Sequence, residues 1–116
     1  MRSSTPAESA AQPGPDQDLD RHRPALRSAL LQQRRFRIAQ LADLRKASPD
    51  DPAHEEVVET LRRGARVALA GIEAALARMD SGAYGTCVQC AAPIPVERLE
   101  ILPAVDLCMT CQSPTS

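Results

Sequence analysis

Four cysteines in two closely spaced pairs constrain this 116-residue chain more than any other feature. Cys87 and Cys90 form one C-x2-C pair, Cys108 and Cys111 form the other, and 17 residues separate the pairs. Two residues between cysteines let the backbone bend so that both sulfurs bind one metal ion, and a second pair completes a tetrahedron. The spacing therefore predicts one structural Zn²⁺ held by all four cysteines. Such a site leaves no coordination position for a catalytic water.

Two other interpretations of the cysteines remain open, namely a pair of disulfides and a rubredoxin-like iron site. The compartment in which we expect the protein favours metal binding by these cysteines over disulfide bonds. The N-terminal segment lacks the apolar stretch of a secretion signal, and no apolar run approaches the roughly 18 residues that span a bilayer. We therefore expect a cytoplasmic protein without membrane association, in which thiols stay reduced.

Aromatic residues make up 2% of the chain, with Phe36 and Tyr84 as the only two. This excludes a large aromatic core, and it excludes a protein that reads single strands by stacking bases on several rings. A formal net charge of −1 argues against a general nucleic-acid coat. Alanine is abundant and the basic residues are nearly all arginine, which indicates a GC-rich bacterial genome.

Hydrophobic periodicity predicts two long helices between polar ends. Residues 1–18 have no apolar periodicity and are expected to be a disordered tail, as are residues 113–116. From about 20 to 46 a broad apolar stripe predicts a helix, although Arg34 projects into its middle and Phe36 lies opposite. The stripe consists of Leu26, Leu30, Leu31, Ile38, Leu41 and Leu44.

A second helix is predicted from about 53 to 81, after a proline-containing tip over 47–53. Its apolar positions alternate steps of three and four residues over three heptads, which is typical of a coiled-coil seam. These positions are Val58, Leu61, Ala65, Ala68, Ile72, Ala75 and Met79. Gly82 is placed to end this helix in the left-handed conformation. The fold class is therefore mainly α, an antiparallel two-helix coiled-coil hairpin over 19–82 with a four-cysteine zinc-finger module over 83–112 at its base.

The segment from Ile72 to Cys111 resembles the DksA/TraR family of bacterial transcription regulators. The residues that carry the likeness are the Gly-x-Tyr-Gly-x-Cys approach to the first knuckle over 82–87, the Arg98-Leu99 pair, Pro103 and the Asp-Leu-Cys run over 106–108. The resemblance implies a protein that binds RNA polymerase and inserts the hairpin through the secondary channel, while DNA is contacted only through the polymerase. It also implies that the zinc module braces the base of the hairpin. We expect the chain to be a monomer.

The same resemblance assigns the polymerase-modulating role to acidic residues at the hairpin tip. Here Asp50 and Asp51 lie at the tip, while His54 stands where the family has a second acidic residue and Glu56 where it has an alanine. We therefore expect channel binding with an altered effect on initiation. The chain also stops five residues after Cys111, before the family's C-terminal helix. The runs Gly64-Ala65-Arg66 and Leu69-Ala70-Gly71 lie where basic residues would help to hold ppGpp. We expect a weak or absent response to that nucleotide.

Two alternative functions use other features of the chain. The first predicted helix carries a net charge of +7 over residues 21–46, which favours a zinc-ribbon protein that binds nucleic acid. Alanine-rich seams and a four-thiolate site favour an oligomerising or redox-sensing zinc adaptor. No nucleophile and base recur at a recognisable spacing, and the metal site is closed, so we do not expect an enzyme.

Overall fold

The computed structural model describes residues 15–46 and 52–113, and within these ranges the chain is mainly helical and has no β-strand. Helix α1 spans Pro15–Lys46, α2 spans Pro52–Ser81, α3 spans Val96–Ile101 and α4 spans Met109–Gln112. One isolated antiparallel bridge joins Thr86 to Pro93. Of the helices described, none is both long and apolar enough to cross a membrane. The predicted mainly α class is confirmed.

Helices α1 and α2 pack antiparallel with a constant register. Arg27 pairs with Asp80 at 3.2 Å. Seven residues later on α1 and seven earlier on α2, Arg34 pairs with Glu73, also at 3.2 Å. Near the far end, Arg62 Nη2 donates a hydrogen bond of 2.8 Å to the carbonyl of Leu44 in the last turn of α1. These contacts confirm the predicted coiled-coil hairpin.

The residues predicted to form the seam of α2 are those that are buried in the structure, except near the tip. Ala65, Ile72, Ala75 and Met79 are buried, whereas Leu61 is 49% exposed. The small side chains of the buried alanines let the two helices approach closely.

The stripe predicted for α1 is correct at its first two positions and wrong at the next two. Leu26 and Leu30 are buried, but Leu31 and Ile38 lie at the exposed rim. Half-buried Arg34 lies within this stripe instead, and its Nε atom is 3.2 Å from a carboxylate oxygen of Glu73 on α2.

Helix α1 begins at Pro15, earlier than the predicted start near residue 20. Leu19 explains the difference, because its side chain is 8% exposed and lies against Gly85 at the entry to the cysteine module. The rest of the predicted tail, residues 1–14, lies outside the described residues, as do 47–51 of the tip and 114–116 of the predicted C-terminal tail. The tip residues Asp50 and Asp51 are among these.

The core lies at the base of the hairpin, where three parts of the chain meet. Leu19, Leu26 and Leu30 come from α1, and Leu30 is fully buried. The other members are Ile72, Ala75 and Met79 from α2, and Tyr84, Cys87, Ile94, Val96 and Leu99 from the cysteine module. The module therefore shares one hydrophobic core with both long helices and does not form a separate domain.

Candidate metal centre

A tight turn connects α2 to the cysteine module. Gly82 adopts a φ of 84°, and the N–H of Ala83 donates to the carbonyl of Arg78 at 2.8 Å. This is the left-handed helix end that the sequence predicts at Gly82. Gly85 follows with a φ of 89°, in the same region of backbone space. The two turns bring the chain from the end of α2 to Cys87 over six residues.

Backbone hydrogen bonds shape the first cysteine pair into a knuckle. The N–H of Cys87 donates to the carbonyl of Ala92 at 2.8 Å, and the N–H of Ala91 donates back to the carbonyl of Cys87 at 2.9 Å. Ala91 completes this bend with a φ of 66°. Because such a φ is costly for an L-residue, the knuckle holds Ala91 under local strain.

The second cysteine pair flanks the start of α4, where the N–H of Gln112 donates to the carbonyl of Cys108 at 2.8 Å. The two knuckles are joined directly, because the N–H of Val88 donates to the carbonyl of Asp106 at 2.9 Å. The local fold of each pair therefore aims its sulfurs at a common point.

The four sulfurs form a compact cluster. Their Sγ atoms all lie within 4.8 Å of one another, and the Sγ atoms of Cys90 and Cys108 are 3.7 Å apart. Four sulfurs around zinc at about 2.3 Å would be separated by about 3.8 Å. All four cysteines are free, and a disulfide would need an S–S distance of about 2.05 Å. The cluster thus fits one tetrahedral zinc ion and does not form the two disulfides considered above.

The electrostatics of the cluster also favour a bound cation. The N–H of Cys108, together with those of Cys90 and Gln89, lowers the pKa of the Cys87 thiol to about 6, although burial opposes this shift. The N–H of Cys111 likewise lowers the pKa of Cys108. In contrast, the neighbouring Cys108 sulfur raises the pKa of Cys111 to about 12. A divalent metal removes this conflict, because it stabilises all four thiolates together.

Burial distinguishes the two sides of the cluster. Cys87 is 2% exposed and belongs to the hydrophobic core, Cys108 and Cys111 are half-buried, and Cys90 is exposed. Four thiolates complete the coordination shell of zinc, so the centre stabilises the fold and has no position to activate water. The cluster therefore fits one structural zinc ion in this module.

Replacement of Ala91 by glycine is expected to stabilise the first knuckle. The variant Ala91→Gly removes the strain of a left-handed alanine, and the greater freedom of glycine in the unfolded chain offsets part of the gain, leaving about 0.5–1 kcal/mol. Competition with a chelator should then show zinc binding about two- to fivefold tighter. The matched control is Ala92→Gly, since Ala92 has no positive φ. Equal gains in both variants would contradict the assigned strain.

Tyr84 ties the turn after α2 to the loop between the cysteine pairs. Its hydroxyl donates a hydrogen bond of 2.8 Å to the carbonyl of Pro103, and its side chain is 3% exposed. Arg98 supports the same loop, because its Nε donates to the carbonyl of Leu107 at 3.4 Å. The motif over 82–87 marks Tyr84 in the sequence, but its bond to Pro103, 19 positions away, has no sequence signal.

Burial raises the pKa of Tyr84 to about 12, which predicts a measurable pH dependence. The unfolded chain ionises near pH 10, so the folded state holds its proton to higher pH and loses stability as pH rises from about 10 to 12. Because Tyr84 is the only tyrosine and tryptophan is absent, absorbance at 295 nm reports this group alone. Tyr84→Phe is the control for stability and should abolish this component of the pH dependence. A midpoint near pH 10 in the folded protein would contradict the burial effect.

Comparison with known proteins agrees with this geometry. Residues 82–116 match the model of the prokaryotic dksA/traR C4-type zinc finger. The chain is also similar to the solved structure of the transcription factor DksA2 from Pseudomonas aeruginosa, with 26% sequence identity and a TM-score of 0.65. That match covers 90% of this chain and 91% of the DksA2 chain. The comparison with curated proteins gives no match.

Proposed function

We propose that this chain, a DksA-like member of the DksA/TraR zinc-finger family, is a transcription factor that binds RNA polymerase and modulates transcription initiation. The observation that carries the proposal is that a four-cysteine module and an antiparallel hairpin share one hydrophobic core. The same chain resembles DksA2 over 90% of its length. This family and fold are those of a transcription factor and not of an enzyme. Cys87, Cys90, Cys108 and Cys111 are proposed as the zinc ligands.

The shape of the hairpin supports entry into a deep, narrow channel such as the secondary channel of the polymerase. Helix α2 has 30 residues, so it extends about 45 Å from the zinc module. Interhelical pairs such as Arg34 with Glu73 hold α1 against it along its length, and Arg62 binds the last turn of α1. The zinc module then braces the base. A probe of this kind can contact the channel interior without unfolding.

The tip is proposed to act on the polymerase through its charged side chains. His54 and Glu55 are exposed in the first turn of α2, and Asp50 and Asp51 precede that helix in the sequence. Carboxylates at the end of the hairpin can attract metal-bound or basic elements of the polymerase. Because His54 replaces an acidic residue of the family pattern, the effect on initiation is proposed to differ from that of DksA. The runs over 64–66 and 69–71 supply a single basic residue, Arg66, which pairs with Glu59, so little or no response to ppGpp is expected.

The test combines binding with a measurement of promoter-complex lifetime. The chain should co-purify with core RNA polymerase, and deletion of the tip should remove the effect on initiation. The paired variant Asp50→Asn with Asp51→Asn is expected to retain binding within about twofold while the effect on lifetime is lost. Asp43→Asn, an exposed acidic residue on the body of α1, is the matched control.

The results can contradict this proposal in two ways. Failure of the intact chain to bind polymerase would reject the partner. Equal loss of binding and of the lifetime effect in the paired Asp50 and Asp51 variant would instead assign these carboxylates to docking or folding.

The structure supports direct binding to nucleic acid less than it supports binding to RNA polymerase. Four of the arginines on α1 pair with carboxylates, which reduces the positive charge available to phosphates. Arg21 pairs with Asp18, Arg23 with Asp20, Arg27 with Asp80 and Arg34 with Glu73. Two of these pairs, those of Arg27 and Arg34, join α1 to α2, so part of the basic character of α1 stabilises the hairpin.

A further inference from the structure

The half of the hairpin nearer the tip contains few buried side chains. On α1 the last buried residue is Leu30, and beyond it Leu41 and Leu44 are only half-buried. On α2 the first buried residue is Ala65, and residues 52–57 are all exposed. Apolar burial holds the base of the hairpin together, but it contributes much less to the position of the tip.

Helix α2 extends further toward the tip than α1 does. In the register that the interhelical ion pairs set, the end of α1 at Lys46 lies level with about residue 61 of α2. Residues 52–60 of α2 therefore project about 14 Å beyond the end of α1. No other helix in the described ranges packs on them. A tilt of about 10° at the end of α1 would move the start of α2 by about 2 Å.

One hydrogen bond joins the two helices close to the level where α1 ends. Arg62 Nη2 donates to the carbonyl of Leu44 at 2.8 Å. This carbonyl lies in the last turn of α1, where backbone acceptors lack a partner within the helix and where the helix dipole favours a cation. The Arg62 side chain is 27% exposed, so water and salt screen this contact less than they screen a fully exposed pair.

A carboxylate of α2 holds the Arg62 guanidinium in this position. Glu59 Oε1 accepts from Arg62 Nη1 at 2.7 Å, and Glu59 Oε2 accepts from Arg66 Nη2 at 3.1 Å. The carboxylate also offsets the repulsion between the two arginines, which are four residues apart on the helix. Arg62 thus binds Glu59 through one nitrogen and α1 through the other, and its planar fork joins the two helices. We call Glu59, Arg62, Arg66 and the Leu44 carbonyl the tip clasp.

We propose that Arg62 is a positioning residue for the tip: held by Glu59, it fixes the direction in which residues 52–60 project from the hairpin. His54 and Glu55, to which the proposed function gives a part in the effect on the polymerase, are carried on this segment. Groups that act through their geometry lose most of their effect when they move by about 1 Å. Contacts along the body of the hairpin do not depend on this alignment. The functional half of the inference rests on the proposed polymerase function, whereas the structural half does not.

Hydrogen exchange of the zinc-loaded chain tests the structural half. The variant Arg62→Met keeps an aliphatic side chain and removes both contacts of the guanidinium. Amide protection is expected to fall about tenfold or more in the last turn of α1 and over residues 56–60 of α2, while protection at Leu99 in the base changes less than about twofold. Unchanged protection at the end of α1 would overturn the proposal.

Titration of the Glu59 carboxyl by NMR gives a readout that a general loss of stability would not move. The hydrogen bond from Arg62 lowers the pKa of Glu59 from its usual value of 4.5, desolvation opposes the shift, and Arg66 adds to it. The contribution of the clasp is therefore fully present above about pH 4.5 and is lost as the pH falls through the lower, folded-state pKa. In Arg62→Met this pKa should rise toward its usual value. The same Glu59 pKa in both proteins would also overturn the proposal.

Promoter-complex lifetime tests the functional half. Arg62→Met is expected to bind RNA polymerase within about threefold of the unchanged chain, while its effect on lifetime falls about fivefold or more. Arg62→Lys keeps the charge but lacks the fork, so it should retain an intermediate effect. Arg63→Met is the matched control, because Arg63 is exposed and forms no ion pair with any residue in the described ranges. It should leave both exchange and lifetime unchanged.

The outcomes distinguish this inference from the proposed function. A full lifetime effect in Arg62→Met would overturn the positioning role, and so would equal losses of binding and effect, since these would make Arg62 a docking or folding residue. Equal losses in Arg62→Met and Arg63→Met would show a general effect of charge and would overturn it as well. If the unchanged chain does not bind polymerase, the proposed function fails, and hydrogen exchange and the Glu59 titration alone decide whether Arg62 positions the tip.

Discussion

A chelator that removes zinc is expected to unfold the cysteine module and to release the first turns of α1 with it. Structural zinc contributes about 10–16 kcal/mol of apparent binding free energy, which is more than a module of this size gains from its own apolar contacts. The module's core residue Leu99 is fully buried, and Leu19 at the start of α1 packs against the same core. Loss of the metal therefore removes the surface that holds α1 at the base.

Hydrogen exchange measured with and without the chelator would locate this effect. Protection should be lost at Leu99 and in α1 near Leu19, and far-UV circular dichroism should show a loss of helix. Excess zinc should restore both, whereas magnesium should not, because thiolates bind it poorly. A chelated chain without zinc that keeps its protection at Leu99 would contradict a structural role for the metal.

Local patterns explain why the metal centre and α2 could be predicted from the sequence. Two cysteines separated by two residues let a local bend of the backbone bring their sulfurs close together, and the structure places all four Sγ atoms within 4.8 Å of one another. The seam of α2 repeats every seven residues, so its buried members Ala65, Ile72 and Met79 follow from periodicity alone.

The errors of prediction lie where distant parts of the chain meet. Leu19 was predicted at the edge of a disordered tail, because its neighbours are polar and its burial depends on the docking of the module. The bond from Tyr84 to Pro103 depends on the same docking. In α1 the predicted stripe included Leu31, whereas the structure exposes it and uses half-buried Arg34, whose stabilising partner Glu73 is on the other helix. Such contacts have no signal in the local pattern.

The close approach of Leu19 to Gly85 leads to a sharp prediction about stability. A Cβ atom at Gly85 would lie 2.6 Å from Cδ2 of Leu19, and the φ of Gly85 is 89°. Gly85→Ala therefore combines backbone strain with a steric clash in the core, and we expect a loss of about 2–4 kcal/mol in the free energy of unfolding. Gly82→Ala is the matched control, because Gly82 has a φ of 84° and its added Cβ would meet nothing within 4 Å.

Denaturant unfolding of both variants separates the two causes. Gly82→Ala carries only the strain of a left-handed alanine, so it should cost about 1–2 kcal/mol. Leu19→Ala opens the space that Gly85→Ala needs, and the combined variant should therefore be more stable than the sum of the two single losses predicts. Additive losses, or equal costs for the two glycine variants, would contradict the clash. A positive coupling would instead show that Leu19 is the residue through which the start of α1 contacts the entry to the zinc module.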